Sequence, residues 1–157
     1  MQFQHLIEIN DLRHPLIPTL TRDQLWRGLV MRAEAPKLFI PWLDECDLLG
    51  RKDNVLTREL RYNALLIRDH VTFTPQEKVH YDVPAQEDIP ASSLLMTIEE
   101  PQPGSLFVRF AYDSGLPDDD MDAFYNEFRR SAYQESDIET IRIIRQLAEE
   151  GRLELPI

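Results

Sequence analysis

Apolar and polar residues change rhythm three times along the chain. Residues 3 to 9 alternate, with Phe3, His5, Ile7 and Ile9 against Gln4, Leu6 and Glu8, which predicts a first strand. Pro15 and Pro18 mark a loop. Thr21 and Gln24 stand at capping-box spacing, and Leu25, Trp26, Leu29, Val30 and Ala33 follow at helical intervals, predicting an amphipathic helix. Pro36 ends that helix or opens a short second one through Lys37-Leu38-Phe39-Ile40, closed by Pro41.

The period then drops to two. Residues 55 to 62 and 65 to 73 are strand-like runs separated by Asn63-Ala64. A two-residue loop there sets Tyr62 opposite Leu65, Leu60 opposite Ile67, Arg58 opposite Asp69, and Leu56 opposite Val71. On the other face Glu59 meets Arg68 and Thr57 meets His70. Both charged pairs then have opposite signs, which supports this register over its neighbours. A three-residue loop at Pro75-Gln76-Glu77 places Val79, Tyr81 and Val83 on the face of Leu60 and Ile67. Residues 84 to 92 read as a mobile acidic loop, and residues 45 to 49 as a short strand. Leu94, Met96 and Ile98 alternate before the turn cluster Pro101-Gln102-Pro103-Gly104, and Leu106, Val108, Phe110 and Tyr112 alternate after it. A hairpin there is expected to match Ile98 with Leu106, Met96 with Val108, and Leu94 with Phe110. One sheet face comes out largely apolar, interrupted by Arg58 and Asp69.

Helical spacing returns at the end. Pro117 and Asp118-Asp119-Asp120 suit the positive end of a helix dipole. Met121, Phe124, Tyr125, Phe128 and Ala132 form one apolar stripe, and Ile138, Ile141, Ile144 and Ala148 another. Ser136 and Glu139 resemble an internal capping box, which predicts a kink, and Gly151 marks the stop. The expected fold is α+β, in the order β-α-α-β-β-β-β-β-β-α: a seven-stranded curved antiparallel sheet around a long C-terminal helix, as one domain over residues 1–157.

Composition narrows the function classes. The apolar fraction is 43%, ordinary for a globular chain, and no apolar run reaches the ~20 residues that cross a bilayer. The N-terminus lacks the basic and apolar regions of a signal peptide, and the single cysteine, Cys46, fits a cytoplasmic setting. A net charge of -11 argues against nucleic acid or anionic membranes as partners, because phosphates are repelled. A small apolar or amphipathic molecule, or a second copy in a homodimer through a sheet edge or the Phe39–Trp42 segment, stays open.

Four segments carry a family resemblance: Leu25 to Pro36 with Phe39-Ile40-Pro41, Arg58-Glu59-Leu60-Arg61-Tyr62, Thr97-Ile98-Glu99-Glu100-Pro101, and Ala132-Tyr133 with Asp137-Ile138. They are similar to the AtaL-like branch of the SRPBCC superfamily, over essentially the whole chain. The order of elements resembles the helix-grip fold of its START domains, birch-pollen-type allergens and polyketide cyclases. The resemblance implies a hydrophobic cavity between helix and sheet, and brings no catalytic motif with it.

Within that frame Leu60, Ile67, Tyr81, Met96, Val108, Phe110 and Tyr112 are expected to line the hollow from the sheet, with Tyr62 at its rim and Phe124 and Phe128 closing it from the helix. Arg58 and Asp69 are the candidate polar groups. They either orient a ligand's carboxylate, carbonyl or hydroxyl, or form a structural ion pair. His5, His14, His70 and His80 have no metal-ligand spacing, so no metal is expected. His5 reads as a hydrogen-bonded core histidine or a general base. Ser92-Ser93 and Ser105 lack a nucleophile elbow, and the five glycines form no phosphate loop, so no cofactor is expected. The leading function is binding of a small hydrophobic or amphipathic ligand. The alternative is a polyketide-cyclase-like enzyme using Arg58, Asp69 or a tyrosine for proton transfer.

Overall fold

The computed structural model describes residues 2–114 and 123–154, with residues 123–125 described by backbone alone. The expected opening of the last helix at Pro117–Asp120, and the side chains of Met121, Phe124 and Tyr125, lie outside the described residues.

Strand β1 (Gln2–Glu8) leads to helix α1 (Arg22–Glu34) and a 3-10 turn (Pro36–Leu38). Strands β2 (Glu45–Lys52), β3 (Val55–Tyr62), β4 (Leu65–Thr74), β5 (Lys78–Val83), β6 (Ser92–Gln102) and β7 (Ser105–Asp113) follow, then helix α2 (Ala123–Glu149). All strands pair antiparallel in one sheet, ordered β1-β7-β6-β5-β4-β3-β2. The architecture is the helix-grip α+β fold. The expected second helix is a single 3-10 turn, because prolines at 36 and 41 leave room for no more.

Local chemistry explains the boundaries. Thr21 caps α1 through Gln24 N–H, and the Gln24 side chain accepts from Thr21 N–H, completing the capping box. Helix α2 runs unbroken through Ser136, so the expected internal cap is absent; Thr140 Oγ1 donates to the Ser136 carbonyl instead. Its end is a Schellman turn: Gly151, at φ 71°, donates to Ala148 O and Arg152 donates to Leu147 O.

The β3–β4 register is the one the sequence predicts, with Arg58 opposite Asp69 and Glu59 opposite Arg68. So is the tight β4–β5 turn, with Phe73 opposite Val79. The β6–β7 hairpin differs by two residues: Ile98 pairs with Val108, Met96 with Phe110, and Leu94 with Tyr112. Here β6 continues through Pro101 to Gln102, which pairs with Ser105, and an irregularity between Glu99 and Gln102 absorbs the mismatch. The turn is Pro103-Gly104, with Gly104 at φ 84°. A shift of two preserves which side chains face inward.

The inward face carries Leu56, Val71, Phe73, Val79, Met96, Ile98, Leu106 and Val108, packed against Leu25, Leu29, Ile141, Ile144 and Leu147 of the helices. Gly28 lets α1 approach α2: a Cβ there would fall 2.5 Å from Ile144 Cγ2. Asn10 closes the loop before α1, accepting from Leu20 N–H at 2.9 Å and donating to Leu20 O at 2.8 Å and Gly104 O at 3.0 Å.

Candidate functional site

Towards the N-terminal half of α2, the same sheet face turns polar. Arg58 and Asp69 are both buried, and the pair is bidentate: Nε donates to Oδ1 at 2.9 Å and Nη2 to Oδ2 at 2.6 Å. Arg58 Nη1 donates to the Ala33 carbonyl at 2.9 Å, tying the sheet to the end of α1. With these bonds made, both Asp69 oxygens are engaged, and neither residue lines the cavity at Tyr81.

A second cluster spans helix and sheet. Asp137 on α2 is fully buried; its Oδ1 accepts from the Tyr112 hydroxyl at 2.6 Å, and its Oδ2 lies 2.6 Å from His5 Nε2. Burial raises the Asp137 carboxyl above the ordinary carboxylate range, although both hydrogen bonds oppose the rise. Burial, with the Asp137 carboxylate beside it, drives the Tyr112 phenol well above its ordinary value, so it acts as a donor. The His5 ring stacks between Phe3 and Phe110 at 5.4 Å each, and Tyr112 stacks on Tyr133 of α2 at 4.0 Å.

Between the two clusters lies Tyr81. The guanidinium carbons of Arg32 and Arg58 stand 5.0 Å and 5.1 Å from its ring centroid, in cation–π range. The Tyr81 hydroxyl and Arg32 Nε are buried and have no hydrogen-bond partner. Tyr81 also lines a cavity of about 210 Å³ with Val83, Leu94, Tyr112, Ser114 and Tyr133. Three larger depressions, of about 530, 590 and 390 Å³, lie elsewhere: one at the β1, β6 and β7 strand ends, one beside Trp26 and Met31 of α1, and one beside Leu65, Leu66 and Gln86.

The expected lining residues divide accordingly. Tyr81 and Tyr112 line the cavity, while Arg58 and Asp69 pair beside Tyr81 outside its lining, and Tyr62 is half-buried, its phenol raised by burial with Arg58 opposing that rise. Met96, Val108 and Phe110 are packed shut, Leu60 is buried, and Ile67 is half-buried. Phe128 is 64% exposed: it lies about 200° round the helix from buried Asn126, at 3.6 residues per turn. The buried line of α2 runs through Asp137, Ile141 and Ile144, so Ala132 and Ile138 are exposed as well. Of the Phe39–Trp42 segment, Phe39 is buried, Ile40 is half-buried, and Pro41 and Trp42 are exposed, Trp42 at 71%.

Sequence reasoning did not assign Arg32, Tyr133 or Asp137 to the site. The signal was present: Asp137 stands four residues before Ile141 and seven before Ile144, at core spacing, and a carboxylate there needs a reason. Among the described residues no group of three His, Cys, Asp or Glu side chains is placed to hold a metal ion, and no helix is long and apolar enough to cross a membrane.

Residues 7–151 match the family described as Acetylaranotin biosynthesis cluster protein L, AtaL. The chain belongs to the AtaL family. No curated protein matches this AtaL-family chain in sequence. Among solved structures it is similar to the di-domain ARO/CYC StfQ from the steffimycin biosynthetic pathway, with TM-score 0.69 and 12% identity over 96% of the chain. It spans 51% of StfQ, about half that protein's length. It is similar to the Zhui aromatase/cyclase from Streptomyces sp. R1128 (TM-score 0.60, 10% identity, 95% of this chain and 93% of that one). Human STARD10 is a third, with TM-score 0.65 and 13% identity over 99% of this chain and 67% of that one. At these identities the likeness establishes the helix-grip fold.

Proposed function

We propose that this AtaL-family protein holds a small apolar or amphipathic molecule in the hollow between the sheet and α2. One observation carries the reading: a mainly apolar cavity of about 210 Å³ is walled by Val83, Leu94, Tyr81, Tyr112 and Tyr133 beside Ser92, Ser93, Asp113 and Ser114. An apolar wall with a few polar groups set into it is the usual make-up of a small-molecule site. The fold shared with a STARD protein and aromatase/cyclases supports it. Native mass spectrometry of protein purified without denaturation is the test. A retained mass, displaced when an apolar dye binds, is expected. An empty protein that takes up no dye would count decisively against a guest.

A second reading, catalysis of a cyclase-like kind, is favoured by the His5–Asp137–Tyr112 cluster. An acid with a raised pKa, joined to an imidazole and a phenol, is suited to proton transfer, since transfer is most efficient when the group's pKa approaches the working pH. Tyr112 lines the cavity, and His5 and Asp137 do not. If turnover is found, Tyr112→Phe should lower kcat by about two orders of magnitude or more with little change in affinity. Equal kcat would remove Tyr112 from the chemistry.

A further inference from the structure

The sheet has two edges, and they differ in what they offer a partner. Among the described residues β1 and β2 are each paired on one side only. An edge strand presents a row of backbone donors and acceptors that another strand can complete, unless its side chains discourage it. β1 carries Glu8 and no Lys or Arg, so a copy laid on it brings no opposite charge. β2 reads Glu45-Cys46-Asp47-Leu48-Leu49-Gly50-Arg51-Lys52: acids at one end, a leucine pair in the middle, bases at the other end. All but Cys46 are exposed, Leu48 at 49% and Leu49 at 51%. Leu38, in the 3-10 turn that touches β2, and Trp42, in the loop that leads into it, are exposed as well.

Laid antiparallel on a second copy of itself, this order is complementary: acid meets base twice, about a two-fold axis. A parallel copy would set like charges side by side. The bulge restricts the register. It places one extra residue between Leu48 and Gly50, so Glu45 and Asp47 before it and Gly50 and Lys52 after it all share the outward face. Directly opposed residues share a face, and the register that keeps this rule and centres the strand sets Glu45 opposite the partner's Lys52, Cys46 opposite the partner's Arg51, and Leu48 against the partner's Leu49 at the axis. Glu45 already meets Arg61 at 3.0 Å, and Arg51 lies 3.6 Å from Glu34. Asp47 and Lys52 make no ion pair among the described residues. In this register the partner's Lys52 is directly across from Glu45 and diagonal to Asp47, within reach of both.

We propose that β2 is a self-association edge, through which two copies of the chain pair antiparallel over Glu45–Lys52 and join their sheets across a two-fold axis. The inference is independent of what the cavity holds. Sedimentation velocity over a range of concentrations tests it. One strand pair is a small interface, so a dimer with a dissociation constant on the order of micromolar is expected. Leu49→Lys sets two ammonium groups beside the axis and should weaken the dimer about tenfold or more, with circular dichroism unchanged. Lys52→Glu should weaken it about tenfold, because the pair occurs twice, and adding Glu45→Lys should restore it. The register is read by Glu45→Cys with Lys52→Cys in a Cys46→Ser background. Those positions lie about 20 Å apart along one strand, too far to bond within a chain, so mild oxidation should give a disulfide-linked dimer.

A protein still monomeric at about 1 mM overturns the proposal, since even weak pairing registers there. A dimer that Leu49→Lys leaves intact lies on another surface and overturns it too. Should that variant lose its fold, the disulfide decides: a dimer that fails to cross-link and ignores the charge exchange is not paired through β2 in this way.

Discussion

Where α1 and the C-terminal half of α2 meet the sheet, the interior is built from Leu25, Leu29, Val71, Val79, Val108, Ile144 and Leu147, all buried. Where the N-terminal half of α2 faces the same sheet, the interior is built from Arg58, Asp69, Tyr81, Tyr112 and Asp137, held by short directional bonds. Apolar side chains are stabilised by filling volume, so that end closes until Gly28 touches Ile144. Polar side chains are fixed by partners at set distances, and a network that satisfies them need not fill the volume between them. The cavity at Tyr81 therefore occurs at the polar end. The closed end holds the grip together, and the other end keeps a site.

Breaking the polar end at its strongest bond should have the largest effect. Asp69→Ala leaves Arg58 buried without its carboxylate and should cost about 3–5 kcal/mol in urea denaturation. Replacing both partners, as Arg58→Met with Asp69→Leu, should recover much of that loss, since the pair's desolvation is removed with it. A loss below about 1 kcal/mol in the single variant would mean that water reaches the pair, and the contrast between the two ends would weaken accordingly.

The closed end is tested by adding one methyl. Gly28→Ala places a Cβ 2.5 Å from Ile144 Cγ2 and 2.8 Å from Cγ1, atoms near the branch that cannot swing away. Overpacking costs about 1–3 kcal/mol and the helix propensity of alanine returns about 1, so a net loss of up to about 2 kcal/mol is expected. With Ile144→Ala as partner the two losses should be less than additive, because the second truncation removes the clash created by the first. Additive losses would mean that α1 and α2 are not in the contact described.

Sequence alone revealed the sheet better than the site, for a physical reason. Strand parity has a period of two and survives a slip of two, so the inward face of β6 and β7 was read correctly even though Ile98 pairs with Val108 rather than Leu106. The turn of that hairpin was misplaced because proline at 101 looks like a terminator, yet β6 runs through it beside an irregularity. On α2 one residue is about 100° of rotation, and choosing Ile138 over Asp137 put both Ile138 and Phe128 on the wrong side. Arg58 with Asp69 was legible because both lie in one hairpin. Arg32, Asp137 and His5 come from three distant elements, and no local spacing links them.

Asp137→Asn separates charge from hydrogen bonding at the polar end. Asparagine can still accept from Tyr112 and donate to His5, so near neutral pH its stability should stay within about 1 kcal/mol of the parent. The pH dependence is more informative. Because the folded Asp137 carboxyl titrates above its unfolded value, the folded state holds the extra proton, and parent stability falls as pH rises between the two values. Measured against Asp137→Asn, in which that titration is absent, the parent should lose ground across this window and run parallel on either side. A difference that stays flat would mean that Asp137 is not desolvated.

The outward face of the same hairpin supplies the control. Glu59 and Arg68 sit one residue away from Arg58 and Asp69, with Arg68 Nε donating to Glu59 Oε2 at 2.8 Å, close to the length of the buried bonds. The Arg68 side chain is largely in water, where the attraction is screened and holding a long side chain still has an entropic cost. A double-mutant cycle to alanine should therefore give a coupling of about 0.5 kcal/mol or less, reduced further by salt. A coupling as large as that of Arg58 with Asp69 would mean that strand pairing, and not burial, sets the strength of both. The polar end would then owe its rigidity to the sheet and not to its separation from water.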